Sequence, residues 1–159
     1  MKTRFGRIAG LAACASCVGA IAVAGSASAD TWNVTMSGAR QTASGIPGDP
    51  DGTGTATITM TKTGQTGTVC STVNFSNIAQ PVVAAHIHQG LPTQPENPAW
   101  TVNLFGPNIG GTPSGVSTCS PATAAQINAM ELAPQLFTVV VHNQAYPAGA
   151  IRGQLGHNG

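Results

Sequence analysis

Thr55-Ala56-Thr57-Ile58-Thr59-Met60-Thr61 alternates without a break, with Ala56, Ile58 and Met60 on one side and four threonines on the other. Successive side chains of a strand point to opposite faces, so period two predicts a strand with one buried and one wet face. Thr suits the wet face because it is β-branched and can still hydrogen-bond. Outward from this stretch the pattern recurs. Trp32, Val34 and Met36 alternate with Thr31, Asn33 and Thr35, and a strand from Thr68 to Phe75 follows the break at Thr63-Gly64-Gln65. Val82 to His88, Trp100 to Leu104, Leu136 to His142 and Gly149 to Leu155 read as further strands. Gly45 to Gly52, Gln89 to Pro98 and Gly106 to Gly115 are rich in Gly and Pro and read as turns or loops. Ala122 to Ala133 is the one expected helix, with Ser120-Pro121 as its cap and first-turn proline and Pro134 as its stop. Short strands with a single short helix predict an all-β sandwich or barrel.

Composition agrees. The 159 residues include 20 Gly and 11 Pro but only six Lys or Arg and five Asp or Glu. A net charge of +1 provides no basic field for nucleic acid. A hydrophobic content of 42% argues against charge-driven disorder, and the scarcity of Glu and Lys argues against a helical bundle.

Residues 1–29 read as a cleaved secretory signal. Lys2, Arg4 and Arg7 precede an uncharged apolar run from Ile8 to Ala24, and Ala27-Ser28-Ala29 is an A-x-A site placing cleavage between Ala29 and Asp30. The run is short and mostly Ala and Gly, which argues against a membrane anchor. Leu11-Ala12-Ala13-Cys14 resembles a lipobox, but only four apolar residues would precede its cysteine. The expected mature chain, residues 30–159, is one domain with three basic and five acidic side chains, secreted or periplasmic and without a transmembrane segment. It keeps Cys70 and Cys119, an even pair in an exported chain, which reads as one disulfide.

The candidate site comes from the histidines. His86 and His88 share one strand face while Val83, Ala85 and Ile87 take the other. With the apolar face in the core, both imidazoles point outward. By the same alternation His142 faces away from Val139 and Val141, and Arg152 faces away from Ile151, Gly153 and Leu155. Three imidazoles and one guanidinium are therefore expected on an outer face beneath the Pro-rich 89–98 loop. Neutral imidazole suits zinc and copper, and three ligands leave an open position. The competing reading is structural: the imidazoles order the loop and the Gln144–Pro147 turn through backbone hydrogen bonds, and Arg152 bonds loop carbonyls. His157 is a candidate fourth ligand. Asp49-Pro50-Asp51-Gly52 has too few carboxylates for calcium and reads as a turn. Glu96 and Glu131 stand singly in loop and helix, with no paired carboxylates and no G-x-S-x-G elbow.

Gly48-Asp49-Pro50-Asp51-Gly52-Thr53-Gly54, Ala85-His86-Ile87-His88-Gln89-Gly90 and Val140-Val141-His142, running into Tyr146-Pro147-Ala148-Gly149-Ala150-Ile151-Arg152-Gly153-Gln154-Leu155, together resemble the CHRD domain, common in exported bacterial proteins. Asn143 departs from the family, which more often has Thr there. The resemblance implies an immunoglobulin-like Greek-key β-sandwich or barrel related to copper–zinc superoxide dismutases. Carried over from those enzymes, His86, His88 and His142 look like copper ligands and Arg152 looks like the anion-guiding arginine. The bridging imidazole and the zinc ligands have no counterpart. No catalytic residue is therefore assigned. The expected function is a noncatalytic extracytoplasmic binding or structural module with a protein or small ligand as partner. The alternative is a copper- or zinc-binding protein, with dismutase-like redox activity as the lesser reading.

Overall fold

The computed structural model describes residues 29–106 and 115–156. The expected signal segment up to Ser28, most of the second loop and His157 lie outside these described residues. Eight antiparallel strands form one sheet: β1 (Asp30–Ser37), β2 (Thr53–Thr63), β3 (Thr66–Ser76), β4 (Val82–Gln89), β5 (Asn97–Phe105), β6 (Val116–Thr123), β7 (Phe137–Asn143) and β8 (Ile151–Gln154). Their order across the sheet is β5-β4-β7-β8-β1-β2-β3-β6. The sheet curls until its two edge strands meet. Leu104 O of β5 accepts hydrogen bonds from the hydroxyls of Thr118 and Ser120 on β6, so side chains rather than a ladder close the barrel.

The alternating stretch behaves as its pattern requires. Ala56, Ile58 and Met60 are buried, and β2 pairs with β1 through Ile58↔Trp32 and with β3 through Ile58↔Ser71. Val34, Val73, Ile87, Leu104, Val139 and Val141 point into the same core. Fully burying side chains of this size contributes roughly 1.5–3 kcal/mol each.

Two local expectations need correction. Ser120 and Pro121 do not start a helix. They continue β6, whose pairing with β3 runs unbroken from Val116 to Thr123. Pro121 is tolerated there because an edge strand has N–H groups that need no partner. The helix α2 (Ala124–Leu132) starts after this strand. Thr123 caps it by accepting from Gln126 N, and the Gln126 side chain accepts from Thr123 N in return, a capping box. The second correction is an additional short helix, α1 (Gly38–Ala43), with Ser37 as N-cap.

The closing segment shows why its glycines matter. Gly149 has φ +131°, which strains any L side chain. A Cβ on Gly153 would lie 2.2 Å from Thr35 O, so β1 and β8 approach this closely only because that atom is missing. Asp49 belongs to a turn, as expected: its carboxylate accepts from Ala79 N and its own N–H donates to Ala150 O. Cys70 and Cys119 are bonded across β3 and β6, where they sit directly opposite each other. No helix among the described residues is long and apolar enough to cross a membrane.

Candidate metal centre

Strand register assembles the site. His86 stands opposite Val140, which stands opposite Arg152; His88 stands opposite Thr138, which stands opposite Gln154; and His142 stands opposite Ala84. Directly paired residues share a face, so the three histidines occupy adjacent positions on the outer side of β4 and β7. Ala85, Ile87, Val139 and Val141 fill the inner side, fully buried. The ring centroids lie 5.3 Å (His86–His88), 4.9 Å (His86–His142) and 5.9 Å (His88–His142) apart. One ring nitrogen from each can be chosen such that all three lie within 4.8 Å of one another.

The second nitrogens are largely fixed. His88 Nδ1 lies 3.2 Å from Trp100 O, and His142 Nδ1 lies 3.1 Å from Pro147 O. A carbonyl oxygen can only accept, so each Nδ1 carries a proton, and in the neutral tautomer this fixes, Nε2 is the nitrogen with the lone pair. Among the described residues, His142 Nε2 and His86 Nδ1 are buried without any hydrogen-bond partner. Such orphaned polar atoms are rare, because each loses its hydration and gains nothing in return. The three rings line a cavity of about 430 Å³ together with Ile46, Pro98, Pro147 and Glu96.

Burial disfavours the charged form of His86 and of His142. Burial, then the neighbouring His142 and His88, lowers the pKa of His86 to about 4. Burial also lowers that of His142, while its bond to Pro147 O opposes the shift. At neutral pH both rings hold the free lone pair that a metal ion requires. The same shift makes the metal-free fold acid-sensitive. The unfolded chain takes up these protons near pH 6.5 and folded His86 only near 4. Stability is therefore complete above about pH 6.5 and is lost as pH falls from there towards 4. After allowance for partial exposure of His86, the loss is on the order of 1–2 kcal/mol. Unfolding free energies from urea titration of metal-free protein at pH 7 and pH 4.5 should differ by that much more than those of a His86→Gln variant. Equal pH dependence in the two proteins would contradict it.

Arg152 faces outward, but it is 1% exposed because the segment from Gly90 to Glu96 covers it. Its Nη1 donates to Gln94 O at 3.0 Å and to the Glu96 carboxylate at 3.2 Å, its Nη2 to Leu91 O at 3.0 Å and its Nε to Thr138 Oγ1 at 3.3 Å. The guanidinium is thus committed to the covering loop. It lines a different cleft, of about 290 Å³, with Arg40, Pro92 and Gln154. Gln154 secures the same loop by donating to Gly90 O and Gln135 O, each at 2.6 Å. Asn143 spans its turn, donating to Ala79 O and accepting from Tyr146 N.

Sequence reasoning places Glu96 singly in a loop and gives it no role. It immediately precedes β5, its side chain is 7% exposed, it pairs with Arg152 through Oε2 and lines the histidine cavity, while its Oε1 is buried without a partner among the described residues.

Searches of curated proteins and of solved structures find no match. A family model described as the CHRD domain matches residues 32–155, from β1 through the end of β8 and including all three histidines. That match covers most of the chain and every strand of the barrel, and the chain therefore belongs to the CHRD domain family.

Proposed function

We propose that residues 30–159 act as an exported, noncatalytic binding module whose ligand is a transition-metal ion, copper or zinc, held by His86, His88 and His142. The observation that carries this reading is the pair of buried ring nitrogens, His86 Nδ1 and His142 Nε2, with no partner among the described residues in a cavity three imidazoles share. Structural hydrogen bonding accounts for Nδ1 of His88 and of His142. It leaves the inward-facing nitrogens unexplained. A soft or borderline divalent ion satisfies all three at once, and the backbone bonds at Nδ1 then orient the ligands. Export is supported by the charged, apolar and A-x-A order of residues 1–29 and by the disulfide.

Calorimetric titration of metal-free mature protein with Zn(II) and with Cu(II) tests the reading. One ion per chain is expected. The His86→Ala/His88→Ala variant should bind at least about a hundredfold more weakly, roughly tenfold or more for each ligand lost. Wild-type affinity no tighter than that of the double variant would sink the metal reading. The scaffold reading draws on the two backbone bonds. Protein purified gently from its native compartment and found metal-free, with stability that falls after His142→Ala as the bond to Pro147 O is lost, would favour it.

A further inference from the structure

Glu96 lines the histidine cavity, and its surroundings indicate what its unpartnered oxygen meets. The carboxylate is held from behind. Oε2 is bound by the Arg152 guanidinium, which Leu91 O, Gln94 O and Thr138 Oγ1 fix in turn. Oε1 is buried and has no donor among the described residues. An ionised carboxylate oxygen removed from water needs a hydrogen-bond donor, and its absence is more costly than for a neutral group. Among the described residues the cavity walls beside Glu96 are apolar or imidazole. Nδ1 of His88 and of His142 already serves backbone carbonyls. Glu96 is also outside the set of groups close enough to share one ion directly.

We infer that Glu96 Oε1 is the acceptor for a water molecule completing the coordination of a divalent ion on His86, His88 and His142. This rests on the metal reading above and narrows it. Three neutral imidazoles leave a four-coordinate divalent ion one ligand short. A water there has two acidic protons to donate, and a fixed carboxylate across the cavity takes one. Cu(I), by contrast, is monovalent and is satisfied by two or three ligands, so it gains less from the charge and nothing from the water. The site is therefore built for Zn(II) or Cu(II) in preference to Cu(I). Arg152 acts only through Glu96, as the group that holds and aims the carboxylate.

The test compares wild type with Glu96→Gln, which keeps the side chain's size and an acceptor for Arg152 but removes the charge. Zn(II) affinity should fall about tenfold or more, the usual scale for a group contacting a metal's ligand shell. Cu(I) affinity, measured by competition with a chromogenic chelator, should change by less than about threefold, since the ion carries half the charge and needs no fourth ligand. Unchanged Zn(II) affinity, or a parallel fall for both ions, would overturn the role of Glu96 while leaving the three-histidine site intact. Failure of wild type to bind either ion would instead overturn the metal reading itself. Wild-type protein supplies a second readout that needs no variant. Pulsed electron paramagnetic resonance of Cu(II)-loaded protein in D₂O should show coupling to exchangeable deuterons on an inner-sphere water. Absence of that coupling would also overturn the inference.

Discussion

Replacing Arg152 by Met should destabilise the fold by about 3–5 kcal/mol, the scale for breaking a buried ion pair by removing one partner. Arg152 is the largest fully buried side chain, and four acceptors converge on it. Met fills much of the stem's volume, so the cost is dominated by what is left behind. The Glu96 carboxylate would stay buried with neither oxygen paired, and two loop carbonyls would lose their donor. Burial pulls the guanidinium's pKa down and Glu96 pulls it back up, so each charge supports the other. A second change, Glu96→Gln, should therefore recover part of the loss. The Arg152→Met/Glu96→Gln protein is expected to be less destabilised than the sum of the two single variants, with a coupling of roughly 1–3 kcal/mol. Urea midpoints of the four proteins measure it. Additivity within about 0.5 kcal/mol would mean that water reaches the pair and screens it.

The covering loop should report the same event locally. Its fixed points are Arg152 on Leu91, Gln94 and Glu96, Gln154 on Gly90, and Gly90 N on Leu136 O. Arg152→Met removes three of them. Exchange of amide protons between Gly90 and Glu96 should accelerate before global unfolding does. The loop also carries Glu96 into the cavity, so disorder there would reach the histidines without touching a ligand.

The parts of this architecture that were legible in the sequence are those fixed by local alternation. Ala56, Ile58 and Met60 had to share a face, and so did His86 and His88, because the side-chain period of a strand allows nothing else. What was hidden depends on distant chain segments. Strand β6, Val116-Ser117-Thr118-Cys119-Ser120-Pro121-Ala122-Thr123, is polar and Pro-bearing and has little apolar surface of its own. It is a strand because β3 pairs with it and Cys119 is tied to Cys70. Helix α1 is six residues starting at a glycine, too short to show a helical period. The outward direction of Arg152 was legible, but its burial was not, since the covering residues lie 56 to 61 positions earlier in the chain. Glu96 carried one faint signal: with only five acidic side chains in the whole sequence, each was worth asking about.

Removing the Cys70–Cys119 bridge should lower stability by about 3–4 kcal/mol, close to the effect of Arg152→Met but by a different route. The bond spans 49 residues along the chain, and most of its effect is to restrict the unfolded ensemble, which in the chain-entropy model grows slowly with loop length. In the folded state it fastens β6, an edge strand whose outward residues are exposed, to β3. The Cys70→Ser/Cys119→Ser protein should therefore unfold at a lower guanidinium midpoint, with little change in the native spectrum below that midpoint. Dithiothreitol should have the same effect on wild type, because Cys119 is exposed and a reductant can reach it. Thiol titration of the denatured, unreduced mature protein checks the premise: no free thiol is expected, and two would remove it. The histidines stand on β4 and β7, not on the strands the bridge joins. Zn(II) affinity below the midpoint should consequently survive loss of the disulfide, whereas stability should not. A fall in affinity that tracks the loss of the bridge would mean that β5, which meets β6 at the barrel's closure and carries Trp100, whose carbonyl orients His88, transmits the disturbance to the site.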